Sequence, residues 1–214
     1  MIIIQQQAFI ERMHEPEIVM ADLERYARLA YKSEDKIGPG TAETMIRNLL
    51  TKKPIPHESP IEHHSMTARF ITCRGMTHEM VRHRLASYTQ ESTRYCNYSK
   101  GKFGSQITVI QPYGLKNHEF RYGEWEEAMY NAEKHYFKLI KMGEKPQIAR
   151  GVLPIDLKTE IIMTCNLRQW MHVFRLRTDS AAHPQMRHLM GMLYDKVSAK
   201  LPVIFPPKYI VEVL

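Results

Sequence analysis

RHRLASYTQESTRY, residues Arg82 to Tyr95, sets three consecutive cationic or titratable side chains ahead of a run of hydroxyls that ends in another guanidinium. Neighbouring side chains point about 100° apart on a helix or to opposite faces of a strand, so Arg82, His83 and Arg84 cannot share one apolar face. They must reach solvent, a partner charge or a ligand. The hydroxyls and guanidinium that follow are donors suited to phosphates and to the carbonyl edges of a base or flavin ring. The stretch therefore points to an anionic, ring-bearing ligand, with a solvated basic turn as the simpler reading of the Arg-His-Arg triplet alone.

The flanks place this stretch at a junction. From His64 to Cys73, Met66, Ala68, Phe70 and Thr72 alternate with Thr67, Arg69, Ile71 and Cys73, which is the period of a strand. Thr77 is then placed to cap a short helix that carries Glu79 and delivers Arg82-His83-Arg84 at its C-terminal end, with a loop from Leu85 to Tyr95. Further out, apolar spacing predicts helices over residues 17 to 31, from Thr41 as N-cap to about Lys52, and over 124 to 142 with Gly143 as a stop. Pro146 opens a short helix that carries Arg150, a second strand spans Leu157 to Thr164, Asn166 caps the helix after it, and Pro184 opens the last long helix. Few strands and many helices, without βαβ alternation, predict an α+β fold: a single domain, residues 1–214, with a mostly antiparallel sheet packed against several helices. No Rossmann fingerprint or P-loop occurs, so a nucleotide must be held by side chains and helix ends.

At 214 residues the chain can bury a sizeable core as one domain, and its formal charge of +7 attracts anions. Cys73, Cys96 and Cys165 form no CxxC pair, so neither a disulfide framework nor a cysteine-rich zinc site is expected. The apolar run in MIIIQQQ is too short for a signal peptide, and no stretch approaches the ~20 apolar residues of a membrane span. A soluble, unprocessed protein of the cytoplasm is expected.

His57-Glu58-Ser59-Pro60-Ile61-Glu62-His63 has the Ser-x-x-Glu spacing of a capping box with proline at the first helical position, and so reads equally as a helix start. His78 to His83 has one residue too many for HExxH, which turns its histidines about 140° apart on a helix. His63 and His64 are adjacent, and no metal site is expected. Ser92 with His83 as base would be a conceivable nucleophile, but no GxSxG elbow surrounds it.

Arg82, His83, Arg84 and Ser92 match the RHR-x7-S signature of the flavin-dependent thymidylate synthases, and Arg94-Tyr95 continue the match. The segment His57 to His63 resembles the family's His-Glu-[Ser/Thr]-Pro-x-Glu-His stretch. Arg150 in ARGVLP, Asn166-Leu167-Arg168 with His172, and Leu176-Arg177 resemble further family positions, so the likeness runs from about Ile18 to the last helix. It implies that Arg82, Ser92, Arg94, Arg150 and Arg177 hold and polarise dUMP, with Glu79, Gln90, Glu91 and Thr93 beside them. Ser92 is then a binding residue rather than a nucleophile, and Arg177 the catalytic cation that stabilises charge developing on the uracil ring. The resemblance also implies that Ser59, Arg82, His83, Arg84, Gln90, Asn166, Arg168 and His172 hold FAD. NADPH and 5,10-methylenetetrahydrofolate would be co-substrates, and the family forms homotetramers with sites shared between subunits.

The chain departs from the family in two places. Members often read Asn-Glu where this chain has Thr89-Gln90, and Gln where it has Glu79. An amide at 90 accepts as a carboxylate does but also donates, and Glu91 is the neighbouring charge that could replace the missing one. The expected reaction is conversion of dUMP to dTMP, with a flavin-dependent pyrimidine nucleotide hydroxymethylase as the alternative within the fold. A basic nucleic-acid-binding protein is the alternative of another class, disfavoured because the lysines are dispersed and the arginines fall in ligand motifs; neither nucleic acid nor membrane is an expected partner.

Overall fold

Alternation in two nine-residue strands organises the chain. In the computed structural model, which describes residues 1–101 and 104–207, Ser65–Cys73 and Lys158–Asn166 bury every second residue. The strands in chain order are β1 (Ile2–Ile4), β2 (Gln7–Arg12), β3 (Ser65–Cys73), β4 (Ser87–Gln90), β5 (Thr108–Ile110) and β6 (Lys158–Asn166). The helices are α1 (Pro16–Leu29), α2 (Thr41–Thr51), α3 (Arg74–Met80), α4 (Glu119–Lys141), α5 (Pro146–Ala149), α6 (Leu167–Arg177) and α7 (Pro184–Lys200). A mainly antiparallel four-stranded sheet runs in the order β2-β3-β6-β4, and β1 pairs with β5 in parallel, Ile2 opposite Thr108 and Ile4 opposite Ile110. The fold class is α+β, as the mixture of elements predicts.

Packing divides the described chain into two compact units. One comprises Met1–Gln7, Arg69–His83 and Tyr88–Ile162, and the other takes Ala8–Ala68, Arg84–Ser87 and the described residues from Met163 onward. In the first, Tyr98, Ile107, Val109, Met129, Tyr136, Ala149 and Leu157 form a buried cluster. The amphipathic face of α4 supplies Met129 and Tyr136, and its buried Glu133 accepts the Ile107 backbone N–H at 2.9 Å, satisfying a donor that burial would otherwise strand. Gly143, at φ 97°, ends that helix in a conformation that a side chain would strain.

In the second unit α6 and α7 bury an aromatic group: Phe174 meets Trp170, Tyr194 and Phe205 with ring centroids 5.4, 5.2 and 5.7 Å apart. Trp170 is fully buried and donates its indole N–H to the Met66 carbonyl at 3.0 Å. Asn166 ends β6 and caps α6 through its side-chain oxygen, which accepts from Gln169 N at 2.8 Å. The cap assigned to Asn166 from sequence is the one observed.

Other boundaries differ from those read from sequence. Gly40 rather than Thr41 is the N-cap of α2, because the Thr41 hydroxyl turns back to the Gly38 backbone, 2.9 Å from its N and 2.7 Å from its O. Thr77 does not cap α3, which starts at Arg74; its hydroxyl donates within the helix to the Arg74 carbonyl. The stretch from Leu85 to Tyr95, a loop by its sequence, contains β4, and α4 begins at Glu119. Ser59 opens a 3-10 turn, Ser59–His63, without the side-chain bond of a capping box. Among the described residues no helix is long and apolar enough to cross a membrane.

Replacing Trp170 removes both a large buried ring and a donor to a buried carbonyl. Trp170→Ala should lower the unfolding free energy by about 3–5 kcal/mol, read from urea denaturation; a change below about 1 kcal/mol would mean that the ring is not a core element.

Candidate functional site

In the first unit a half-buried staple sets the direction of the Gln90-to-Arg94 segment. Glu91 N donates to the Glu160 carbonyl at 2.9 Å, and Arg74 Nη1 donates to the Glu91 carbonyl at 3.3 Å. The Glu91 carboxylate is held at both oxygens, by Tyr98 Oη at 3.3 Å and Lys158 Nζ at 3.1 Å. Lys158 also reaches Glu160 at 2.7 Å, and Glu160 lies 3.4 Å from Arg69. Burial keeps the Tyr98 phenol protonated, and the charge on Glu91 adds to that, so Tyr98 remains a donor. Burial also opposes the charge on Lys158, but its bonds to Glu160 and Glu91 outweigh that and raise its pKa.

Two cations adjoin the residues that follow Glu91. Buried Thr93 accepts from Arg150 Nη1 at 3.1 Å, which ties the exposed Arg150 to the residue after Ser92. Ser92 is half-buried, its Oγ 3.3 Å from Arg94 N, and its carbonyl accepts from Cys96 N at 3.0 Å in a tight turn. Arg94 is exposed and lies over the Tyr95 ring at 5.5 Å. Arg82 is exposed in the turn after α3, whereas His83 is buried, as neighbours pointing in different directions require. The Tyr88 hydroxyl holds that turn, 2.7 Å from the Met80 carbonyl and 2.9 Å from that of His83. Gln90 faces inward with its nitrogen, toward Thr77 and Thr159, and Glu79 is half-buried at the end of α3.

In the second unit a cleft of about 1040 Å³ has one charged wall and one apolar wall. Asn166, Arg168, His172 and Arg175 reach it from α6, the first by way of its cap position, and Glu58 and Glu62 from the 3-10 turn region. Arg168 donates Nε to Glu58 at 3.0 Å and also bonds Glu62 through Nη1. Arg175 lies 3.2 Å from His172 Nδ1. Phe174, Tyr194, Ile204 and Phe205 form the apolar wall. Arg168 and His172 therefore share a face of α6, as their spacing predicts. Arg177 is the last residue of α6 and half-buried, where a cation also suits the helix dipole, and Ser59 and Arg84 are exposed.

Sequence reading missed several of these groups. Lys158 and Glu160 are two apart on β6 and so share a face, a signal present in the chain but hidden because neither lies in a ligand motif. Glu58 and Glu62 were in plain view within the histidine-flanked segment, yet only the fold pairs them with Arg168. Arg74, Tyr98 and Thr159 carry no local signal. Among the described residues no group of three His, Cys, Asp or Glu side chains is placed to hold a metal ion.

The sequence model of a family described as thymidylate synthase complementing protein matches residues 9–203. A flavin-dependent thymidylate synthase of Pyrococcus abyssi is 33% identical over 145 residues, covering 67% of this chain and 59% of that protein. One from Geobacter sulfurreducens is 30% identical over 205 residues, covering 92% and 84%. The chain thus spans 59% of the length of the first of these relatives. A solved structure of a UMP/dUMP methylase from Streptomyces cacaoi, bound with 5-Br dUMP, superposes with a TM-score of 0.76 at 24% identity over 96% of this chain and 95% of its own. That likeness is one of fold.

The staple carries its own pH dependence. The hydrogen bond from Lys158 holds the Glu160 carboxyl below its usual range, so its contribution to stability is present above the unfolded value of about 4.3 and is lost as pH falls through the lower folded pKa. In Lys158→Met the Glu160 titration followed by carbon NMR should move up toward the ordinary value, and the acid limb of unfolding should move to higher pH. An unchanged Glu160 titration would show that Lys158 does not hold the charge.

Proposed function

The chain belongs to the thymidylate synthase complementing protein family, and from that membership we propose that it methylates dUMP to dTMP. In this reading 5,10-methylenetetrahydrofolate donates the carbon, NADPH is the reductant and FAD is the bound cofactor. Bound flavin supplies the hydride chemistry, while the chain supplies orientation and charge. The observation that carries the proposal is the pairing of Glu91: with its carboxylate held by Tyr98 and Lys158, the segment offers Ser92, Arg94 and Arg150 to an anion while its own carboxylate is engaged.

Arg94 and Arg150, with Arg82, would bind phosphate and carbonyl oxygens of dUMP, and Ser92 would donate or accept beside them. Thr93 orients Arg150, Glu91 anchors the segment, and Glu79 and Gln90 complete the set. Arg177 would stabilise negative charge on the uracil ring as it is methylated. Ser59, Arg82, His83, Arg84, Gln90, Asn166, Arg168 and His172 would hold FAD. The cleft of the second unit has the volume of a nucleotide-sized pocket, with apolar residues beside the charged ones in its lining. Glu58 and Glu62 occupy two of the five N–H donors of Arg168 and offset its charge. Arg168 is therefore better suited to a ring carbonyl or a ribose hydroxyl than to a bare pyrophosphate. The proposal includes, from the family resemblance, a single functional domain over residues 1–214 and a cytoplasmic homotetramer with shared sites.

The visible spectrum of the purified protein should show flavin absorbance that changes when dUMP is added, and product mass should match dTMP rather than the hydroxymethyl nucleotide. Protein that cannot bind FAD would sink the proposal. Arg177→Ala should retain flavin while turnover falls by ~100-fold or more; loss of flavin or of folding instead would make Arg177 structural.

A further inference from the structure

Gln90 closes β4, and its amide is oriented by its neighbours. The side-chain Nε2 lies 2.9 Å from Thr77 Oγ1 and 3.2 Å from Thr159 Oγ1, both threonines being fully buried. The two ends of an amide have nearly the same shape, so hydrogen bonding must decide which end faces inward. Thr77 decides it. Its single hydroxyl hydrogen goes to the Arg74 carbonyl at 2.9 Å, which leaves only lone pairs for Gln90. The Gln90 atom against Thr77 must therefore carry hydrogens.

With both N–H groups directed at threonines, only Oε1 is left to face outward. Gln90 is half-buried, and among the described residues its Oε1 is not one of the buried side-chain atoms left without a hydrogen bond, so Gln90 Oε1 is reached by solvent. Gln90 is then an acceptor without charge. A glutamate here could not be seated in the same way, because a carboxylate has no hydrogen for the Thr77 oxygen.

We infer that Gln90 Oε1 selects the imide N–H of a bound ring, and that Thr77 and Thr159 are positioning residues that keep the amide from turning. The inference rests on the function proposed above, which supplies two rings with that C(=O)–NH–C(=O) edge: uracil and the isoalloxazine of flavin. Cytosine presents a lone pair at the same ring nitrogen and would meet Oε1 acceptor against acceptor. The locked amide is thus a device for telling uracil from cytosine, or for seating the flavin ring, without a charged group.

Calorimetric titration tests this with dUMP and dCMP on the FAD-loaded protein, and with FAD on protein stripped of flavin. Thr77→Val and Thr159→Val keep the side-chain shape but remove an acceptor and free the amide to turn. If uracil is the partner, the preference for dUMP over dCMP falls roughly tenfold in the valine variants, chiefly because dCMP gains, and Thr77→Ser retains it. If the flavin ring is the partner, FAD affinity falls by about the same factor with nucleotide preference unchanged, and Thr77→Ser again retains it. Gln90→Leu removes the acceptor with both threonines in place, so it must weaken the same ligand even where a valine variant does not fold. Binding of both ligands by the wild type, with preference and FAD affinity unchanged within about twofold in the variants, overturns the inference alone. A wild-type protein that binds neither dUMP nor FAD overturns the proposed function as well.

Discussion

The period of two along β3 and β6 is the constraint on which the rest of the molecule depends. Met66, Ala68, Phe70 and Thr72 on one strand and Thr159, Ile161, Met163 and Cys165 on the other are buried, so the residues between them are committed to the opposite face. In the first unit that commitment places Arg69, Lys158 and Glu160 where they can pair, and in the second it places Thr67 and Thr164 2.9 Å apart. Shifting either strand by one residue would bury the charges and expose the apolar set.

Both strands run directly into helices, and several of the candidate site residues follow those two exits. Cys73 passes into α3, whose end delivers the Arg82-His83-Arg84 turn; Asn166 passes into α6 and caps it. A strand that ends in a helix leaves backbone N–H groups in need of partners, so polar residues at the junction serve the backbone and remain near solvent. Charge is then sorted by partnership. Glu91 is bound by Lys158 and Tyr98 and Arg168 by Glu58 and Glu62, whereas Arg94 and Arg150 meet no carboxylate among the described residues. A formally basic chain thereby gains a local cationic surface without an excess of cations nearby.

Long periodic elements were legible in the residues themselves. The strand from Ser65 and the helices from Pro16, Leu167 and Pro184 follow from apolar spacing, capping by Asn166 and proline at the first turn. The elements that sequence reading missed are short: β1, β2, β4 and β5, of three to six residues, too brief for a period to show. β1 also depends on β5, a partner far along the chain that no local pattern announces. Thr77 illustrates the same limit within a helix, since a threonine near a helix start looks like a cap until the helix is seen to begin three residues earlier.

By itself the sequence determined the α+β class, the main strands and helices, and the motifs around Arg82 and Ser92 that carry the family likeness, because each is written in residues close together. Only the tertiary structure decided which charges remain available. Glu91 and Gln90 look alike as candidate acceptors in the sequence, but Glu91 turns to Lys158 and Tyr98, and Gln90 turns its nitrogen to Thr77 and Thr159. A hydrogen bond needs a donor and an acceptor about 3 Å apart, and these partners are brought within that distance only when β4, α3 and β6 fold together.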